Sequence, residues 1–317
     1  MKTILKEILP RPLIRLVGRL IAPFEHVREF SIDAWRYLKH SSPRDGVVGP
    51  ADGVARLEAQ ITKDYHRVEK GLTLSEPKRP FGIEVHNRLS SLVPQARERV
   101  PQASFVRFAD DALEALASWN ELGTINSLVS PEVSNTAGRL DDATLSTFFS
   151  TRRSVRNFDT AKPVDTALLR QATMLALNTP SVCNRQAGRV HYFTDKFDVE
   201  RILRLQNGNA GFRASVGAVA IVTVDSRLFT GATERNQRWV DGGLFAMTLV
   251  WALHGVGLQT CMLNWSATNR RSQLLRAETN VDAHEDIVVL IAIGHAQEGH
   301  RVARSERRQL HEVMTLA

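Results

Sequence analysis

Cysteine is almost missing from this chain: 317 residues contain two, Cys183 and Cys261, far apart in sequence. Thiols so separated cannot form the paired ligand knuckles of a zinc site, and they suit a reducing compartment, so a cytoplasmic setting is expected. Tyrosine is scarce too, with three residues. No homeodomain, zinc-finger or RNA-recognition signature accompanies the few rings, and the 41 basic and 34 acidic residues are interspersed rather than segregated. Dedicated nucleic-acid binding is not expected on those grounds, although the net charge of +7 suits a phosphate-bearing or anionic partner. Long apolar runs are absent as well. Residues 1–38 are rich in apolar side chains but broken by Pro10, Arg11, Pro12, Arg15, Arg19 and Pro23, short of the roughly 18 uninterrupted residues a membrane span needs. Neither a span nor a secretory signal is expected there. Gly208, Gly211, Gly255 and Gly257 do not make a dinucleotide fingerprint, and no Gly-Lys-Ser/Thr loop occurs, so no resident nicotinamide-binding fold is expected. His66 and Glu69 share a helix face but lack the repeated Glu-x-x-His pairs of a bundle metal site. His191, His254, His284, His295 and His300 are scattered, and no metal site is expected; His254 is expected to be satisfied by a carbonyl.

What is present is ample apolar content, 43%, enough for a substantial core. In the first half, Val54, Leu57, Ile61, Tyr65 and Val68 recur at three- and four-residue spacing behind Asp52, a candidate cap, with Gly71 as the stop. Further helices are expected at 85–96 and around Ala112, Leu113, Leu116 and Trp119; residues 123–139 turn polar and read as a linker. At the start, Leu13, Ile14, Val17, Leu20 and Ile21 form an amphipathic stripe. Docking on this protein or a partner subunit is the common fate of such a stripe; contact of residues 1–38 with an anionic membrane surface is the alternative.

Beyond the linker, helix and strand signals alternate: a helix at 168–177, extended chain at 190–193, and buried strands at 218–224, 258–263 and 287–293. Residues 240–253 are apolar on every side, which predicts a helix at the centre. The pattern predicts an α+β, three-layer domain over 141–317 with a mixed central sheet flanked by helices, preceded by a mostly helical region over 1–140.

Chemistry concentrates at residues 152–158, where Arg152, Arg153, Ser154, Val155, Arg156, Asn157 and Phe158 place three guanidinium groups and a hydroxyl in one short run. Guanidinium is a planar, permanently charged fork of donors that matches phosphate oxygens. A second segment carries Pro180, Ser181, Asn184 and Gln186, which alone would read as a turn.

Together these segments resemble the nitroreductase family of flavin enzymes. The Arg-Arg-Ser-x-Arg-x-Phe and Pro-Ser-x-x-Asn-x-Gln signatures stand in order. They are followed by the apolar helix and a Gly257-Leu258 strand reaching Leu263 and Asn264, then by Ile291, Ala292, Ile293 and Gly294 with a basic segment holding Arg304, Ser305 and Arg307. The likeness spans roughly residues 145–315, and four ordered segments weigh more than any one.

The resemblance implies that Arg152, Ser154 and Arg156 hold the phosphate and ribityl chain of FMN, with Arg153 close by. It implies that Pro180, Ser181, Asn184 and Gln186 approach the ring, whose edge the two amides can read. The backbone near Leu263 and Asn264 would approach the flavin, and Arg307, or else Arg304, would meet the phosphate. It also implies an intertwined homodimer with residues from both chains in each site, NADH or NADPH as a visiting reductant, and a small-molecule electron acceptor. No catalytic side chain is required, because the cofactor carries the chemistry. Two features depart from the family. Ala187 and Gly188 stand where many relatives have Pro-Trp, which removes a bulky wall from near the ring, and the helical first half lies outside the minimal domain. These departures leave room for flavin fragmentation, dehalogenation or dehydrogenation, or for a non-catalytic flavin-binding protein recruited to membranes. Cys183, beside the loop, reads as a small buried hydrophobe.

Overall fold

Helix α1 (Arg11–His40) lies on the rest of the chain by its polar side. The computed structural model describes residues 11–48, 52–133, 138 and 140–316. Glu29 of α1 accepts hydrogen bonds from the Asn269 backbone N–H (2.8 Å) and side-chain amide (3.0 Å), and Arg36 pairs with Asp286 at 2.7 Å. Tyr37 is buried and donates to the Gly231 carbonyl at 2.7 Å. Leu13, Leu20 and Ile21 are exposed, so this part of the stripe does not dock on its own chain; the ion pairs and amide contacts dock the opposite face. The side chains of Ile14 and Val17 lie outside the described residues.

Three helices follow, α2 (Val54–Leu72), α3 (Ile83–Arg99) and α4 (Ser104–Leu122). Leu57, Ile61, Tyr65, Val68 and Leu72 form one stripe of α2 and pack on Leu89 and Val93 of α3 and Val106, Ala109 and Leu116 of α4. The 3.6-residue period thus becomes a shared core. Two local expectations change. Gly53, not Asp52, is the N-cap of α2, and the Asp52 carboxylate instead pairs with Arg56 at 2.8 Å. Gly71 does not stop the helix; it admits the Phe81 ring, one carbon of which would lie 2.5 Å from a Cβ there.

The bundle closes around one buried carboxylate. Asp64 has no exposed surface and accepts from Arg88 Nε (3.0 Å) and Nη2 (2.8 Å), Arg67 Nη1 (2.6 Å) and Gln60 Nε2 (2.9 Å). Removing one partner of such a cluster strands the others. Asp64→Ala is expected to cost about 3 kcal/mol, the lower end for a broken buried pair because both arginines reach solvent. Urea unfolding followed by circular dichroism checks this; an unchanged midpoint would show that the cluster contributes nothing net.

Helix α5 (Asp142–Thr151) begins at Asp141, which accepts from the Thr144 backbone N–H at 2.8 Å. The second half then contains α6 (Thr166–Ala176), β1 (Gly188–Phe193), α7 (Lys196–Arg204), β2 (Ala218–Asp225), α8 (Gln237–Gly255), β3 (Gln259–Asn264), α9 (Asn269–Thr279), β4 (Glu285–Gly294) and a short α10 (Leu310–Val313). The strands are ordered β1-β2-β4-β3. Side chains of β2 alternate: Val219 and Ile221 join the core under α7 and α9, whereas Ala218, Ala220 and Val222 face α6 and α8. The result is the three-layer α+β domain expected.

The sheet is not mixed, however. Each of its three strand pairings is antiparallel. The β2-α8-β3 unit does produce two strands running the same way, but β4 inserts between them and pairs with both. Among the described residues, parallel pairing survives as isolated bridges, Ser154 with Thr260 at β3 and Ser42 with Thr230 outside the sheet.

Helix α8 is also less enclosed than its composition suggests. Phe245, Leu249, Val250 and Leu253 are buried against the sheet, while Val240, Leu244 and Trp239 are 51%, 45% and 42% exposed. The sheet covers one side only; α5 covers part of the other through Phe148 and Phe149, whose ring centroids lie 5.2 and 4.5 Å from that of Trp251. Among the described residues, no helix is long and apolar enough to cross a membrane.

Candidate functional site

The arginine run is pinned as an extended segment beside β3. The Val155 N–H donates to the Thr260 carbonyl at 3.0 Å, Asp159 N–H to His295 at 2.8 Å, and Gln297 N–H to Asn157 at 3.0 Å. Val155 and Phe158 are buried on one side, and a Cβ on Gly294 would lie 2.7 Å from the Phe158 ring. Anchored this way, the segment leaves Arg152, Arg153, Ser154 and Arg156 around a cavity of about 220 Å³, closed by Ser305 and Arg307.

Four arginines with two hydroxyl-bearing residues, and among the described residues no carboxylate, line this cavity. Its electrostatics follow. Burial, then the positive charges of Arg307 and Arg153, push the Arg152 guanidinium below its ordinary pKa. The Arg152 guanidinium carbon also lies 5.6 Å over the Trp251 ring, a cation–π contact that fixes its direction. An anion with several oxygens is the complement that such a cavity lacks. Arg304 is turned away from it and pairs with Glu306 at 2.7 Å.

Pro180, Ser181, Asn184 and Gln186 stand elsewhere. They border a second cavity of about 250 Å³, facing α2 and α4. The loop holds a 3-10 turn (Val182–Asn184), and its Cys183, Asn184 and Gln186 all have positive φ, at 50°, 53° and 49°. Left-handed backbone is unfavourable at each of these non-glycine residues, so surrounding contacts must impose it. The Ser181 hydroxyl accepts from the Gln186 N–H at 2.9 Å, and the Val182 N–H donates to buried Asp241 at 3.1 Å. The nearly buried Arg185 side chain donates to the Val182 carbonyl at 3.2 Å and pairs with Glu234 at 2.9 Å. These contacts hold Asn184 and Gln186 at the cavity wall.

Within one chain the two cavities do not merge. Asp241, beside the loop, and Trp251, beneath Arg152, lie on the same helix, on the order of 15 Å apart at about 1.5 Å rise per residue. Leu263 packs in the core under α7 and α9, and Asn264 donates to Ser266 at 2.8 Å beside a third, smaller cavity. Neither lines the arginine cavity.

Several groups escaped the sequence reading. Asp241, Arg185 and Glu234 set the loop geometry, and Trp251 seats Arg152; an acid interrupting an apolar helix was the one available signal. Asp282, His284 and Glu285 also come together with ligand atoms within 4.8 Å, although Glu285 is engaged by His191 at 2.7 Å. Cys183 is only partly buried, at a strained position rather than in the core. At the Ala187-Gly188 departure, Ala187 is buried beside Phe229, and Gly188 lines the second cavity with Phe245 packed against it, 2.7 Å from where its Cβ would be. His254 contacts the Phe148 carbonyl at 3.1 Å, as expected, and His66 bonds Glu69 at 2.7 Å.

No family model and no curated protein matches this chain. Solved structures do match. A Bacillus subtilis protein, ydfN, assigned as a nitroreductase, superposes with a TM-score of 0.51 at 18% identity, over 56% of this chain and all (100%) of its own. A nitroreductase-like protein from Streptococcus mutans gives 0.48 at 17% identity, over 56% and 100%. A Desulfovibrio desulfuricans structure of nitroreductase type, solved in complex with FMN, gives 0.47 at 18% identity, over 56% and 98%.

Proposed function

The carboxy-terminal half has the nitroreductase fold, and from it we propose that this chain is an FMN-dependent oxidoreductase whose flavin site is completed by two copies of the chain. The carboxylate-free arginine cavity is the observation that carries the reading. A phosphate monoester has close to two negative charges at neutral pH, and Arg152, Arg153, Arg156 and Arg307 would neutralise it, with Ser154 supplying a hydroxyl donor. Bound FMN would supply hydride chemistry, accepting from NADH or NADPH and passing reducing equivalents to a small organic acceptor.

The ring-facing residues must then come from the second chain, since Ser181, Asn184 and Gln186 are remote from the arginines of their own. Val240 and Leu244 give α8 an exposed apolar stripe between the two cavities. Pairing α8 antiparallel with its twin across a two-fold axis brings the Asp241 end of one helix to the Trp251 end of the other. Asn184 and Gln186 of one copy then complete the arginine cavity of its partner, and their amides would meet the pyrimidine edge of the ring.

The purified protein is expected to be yellow, and the cofactor released on heating to chromatograph as FMN at about one per chain. Folded, colourless protein that takes up no added FMN overturns the proposal. Anaerobic reduction with NADH and NADPH in separate stopped-flow runs then identifies the reductant.

A further inference from the structure

The helical first half does more than precede the sheet: α2 packs directly on the 3-10 turn of the Ser181 loop. Lys63 of α2 lies 3.7 Å from Glu234, the partner of Arg185 in that turn, so the two halves share an ion cluster behind the loop. In front of it, Glu58 and Tyr65 of α2 with Phe105 and Phe108 of α4 form one wall of the 250 Å³ cavity, opposite Asn184 and Gln186. At about 30 Å³ per water, that volume suits a molecule of one ring.

Glu58 is the unusual member of this wall. Among the described residues, its half-buried carboxylate has no hydrogen bond and no ion pair. The charged groups facing it are Arg189, Asp225 and Arg227. Neither cation pairs with it: Arg189, which lines the same cavity, donates to the Gln186 and Gly188 carbonyls at 2.7 and 2.9 Å, and Arg227 chelates Asp225 at 2.7 Å. Burial accordingly pushes the Glu58 carboxyl above its ordinary pKa, with Arg189 opposing. A desolvated carboxylate without a donor is unfavourable, and a ligand that brings one relieves it. The surrounding rings favour an aromatic ligand and tolerate positive charge on it.

We propose that this cavity binds the electron acceptor, and that Glu58 selects a single-ring aromatic molecule bearing a protonated amine. The acceptor role rests on the flavin reading above; the binding preference does not.

Calorimetric titration of the full-length protein with 4-nitrobenzylamine, 4-nitrobenzyl alcohol and 4-nitrobenzoate tests the preference without turnover. The amine is expected to bind at least about tenfold more tightly than the benzoate, in line with a charged hydrogen bond. Glu58→Gln should remove that advantage and change the alcohol far less than the amine; Phe108→Ala should weaken all three. Equal affinities in the native protein, or an amine preference that persists in Glu58→Gln, would overturn the proposal. In flavin-loaded protein the Glu58→Gln variant should raise KM for the amine far more than KM for the alcohol, with FMN content unaltered. A flavin-free protein that keeps the amine preference would sink the flavin reading and spare the cavity.

Discussion

Arg152→Ala protein should bind FMN at least about tenfold more weakly than the native chain, the effect of losing one charge-assisted contact to phosphate. The expectation is large because three other arginines do not substitute for this one. Arg152 is partly desolvated, held over Trp251, and depressed in basicity by burial and by its cationic neighbours. Such a group gains most from an incoming anion. Arg152→Lys should recover only part of the affinity, since an ammonium keeps the charge but not the planar fork. Fluorescence quenching of FMN measures both variants, and inorganic phosphate as a competitor separates the tail from the ring. Native affinity in Arg152→Ala would remove phosphate from this cavity and leave its four cations without an assigned role.

Leu244→Asp should turn a dimer into a monomer and strip it of flavin at micromolar protein. Leu244 is 45% exposed on the outer stripe of α8, so an aspartate there is free to ionise in the separate chain. In the paired state the same carboxylate would be buried against its own symmetry mate, and burying an unpaired charge costs several kcal/mol on each side of the axis. Light scattering gives the mass and the visible spectrum the flavin. Because the substitution lies away from the arginines, loss of both together identifies the second chain as part of the site. A monomer that stays yellow would mean that one chain suffices.

How far the sequence announces these features depends on whether a feature is local. The α2 stripe of Leu57, Ile61, Tyr65 and Val68 is a repeating constraint on one helix face, and it is legible. The strands are equally so, since uninterrupted apolar runs such as residues 218–224 have few other uses. Pairing is a different matter. Nothing in residues 258–263 says that β4 will separate them from β2, because neighbour choice depends on chain reversals far away in sequence. Exposure of Val240 and Leu244 was hidden for a related reason: an apolar face that the rest of the chain leaves uncovered and one that faces a core have the same composition. The arginine run was visible as chemistry, and the structure sets Arg307 beside it while Arg304 turns to Glu306. What the run could not reveal is that Asn184 and Gln186 lie in another cavity of the same chain, or that Asp241 and Arg185 enforce the loop that carries them.

The position of β4 has a consequence for how this molecule is made. The strand that joins β2 to β3 is the last of the four to leave the ribosome, so β3 emerges before its sheet neighbour, with only the extended arginine segment beside it. Until residue 294 is synthesised, only the antiparallel β1-β2 pair of the four-stranded sheet can form, and the apolar β3 remains at risk of pairing with other nascent chains.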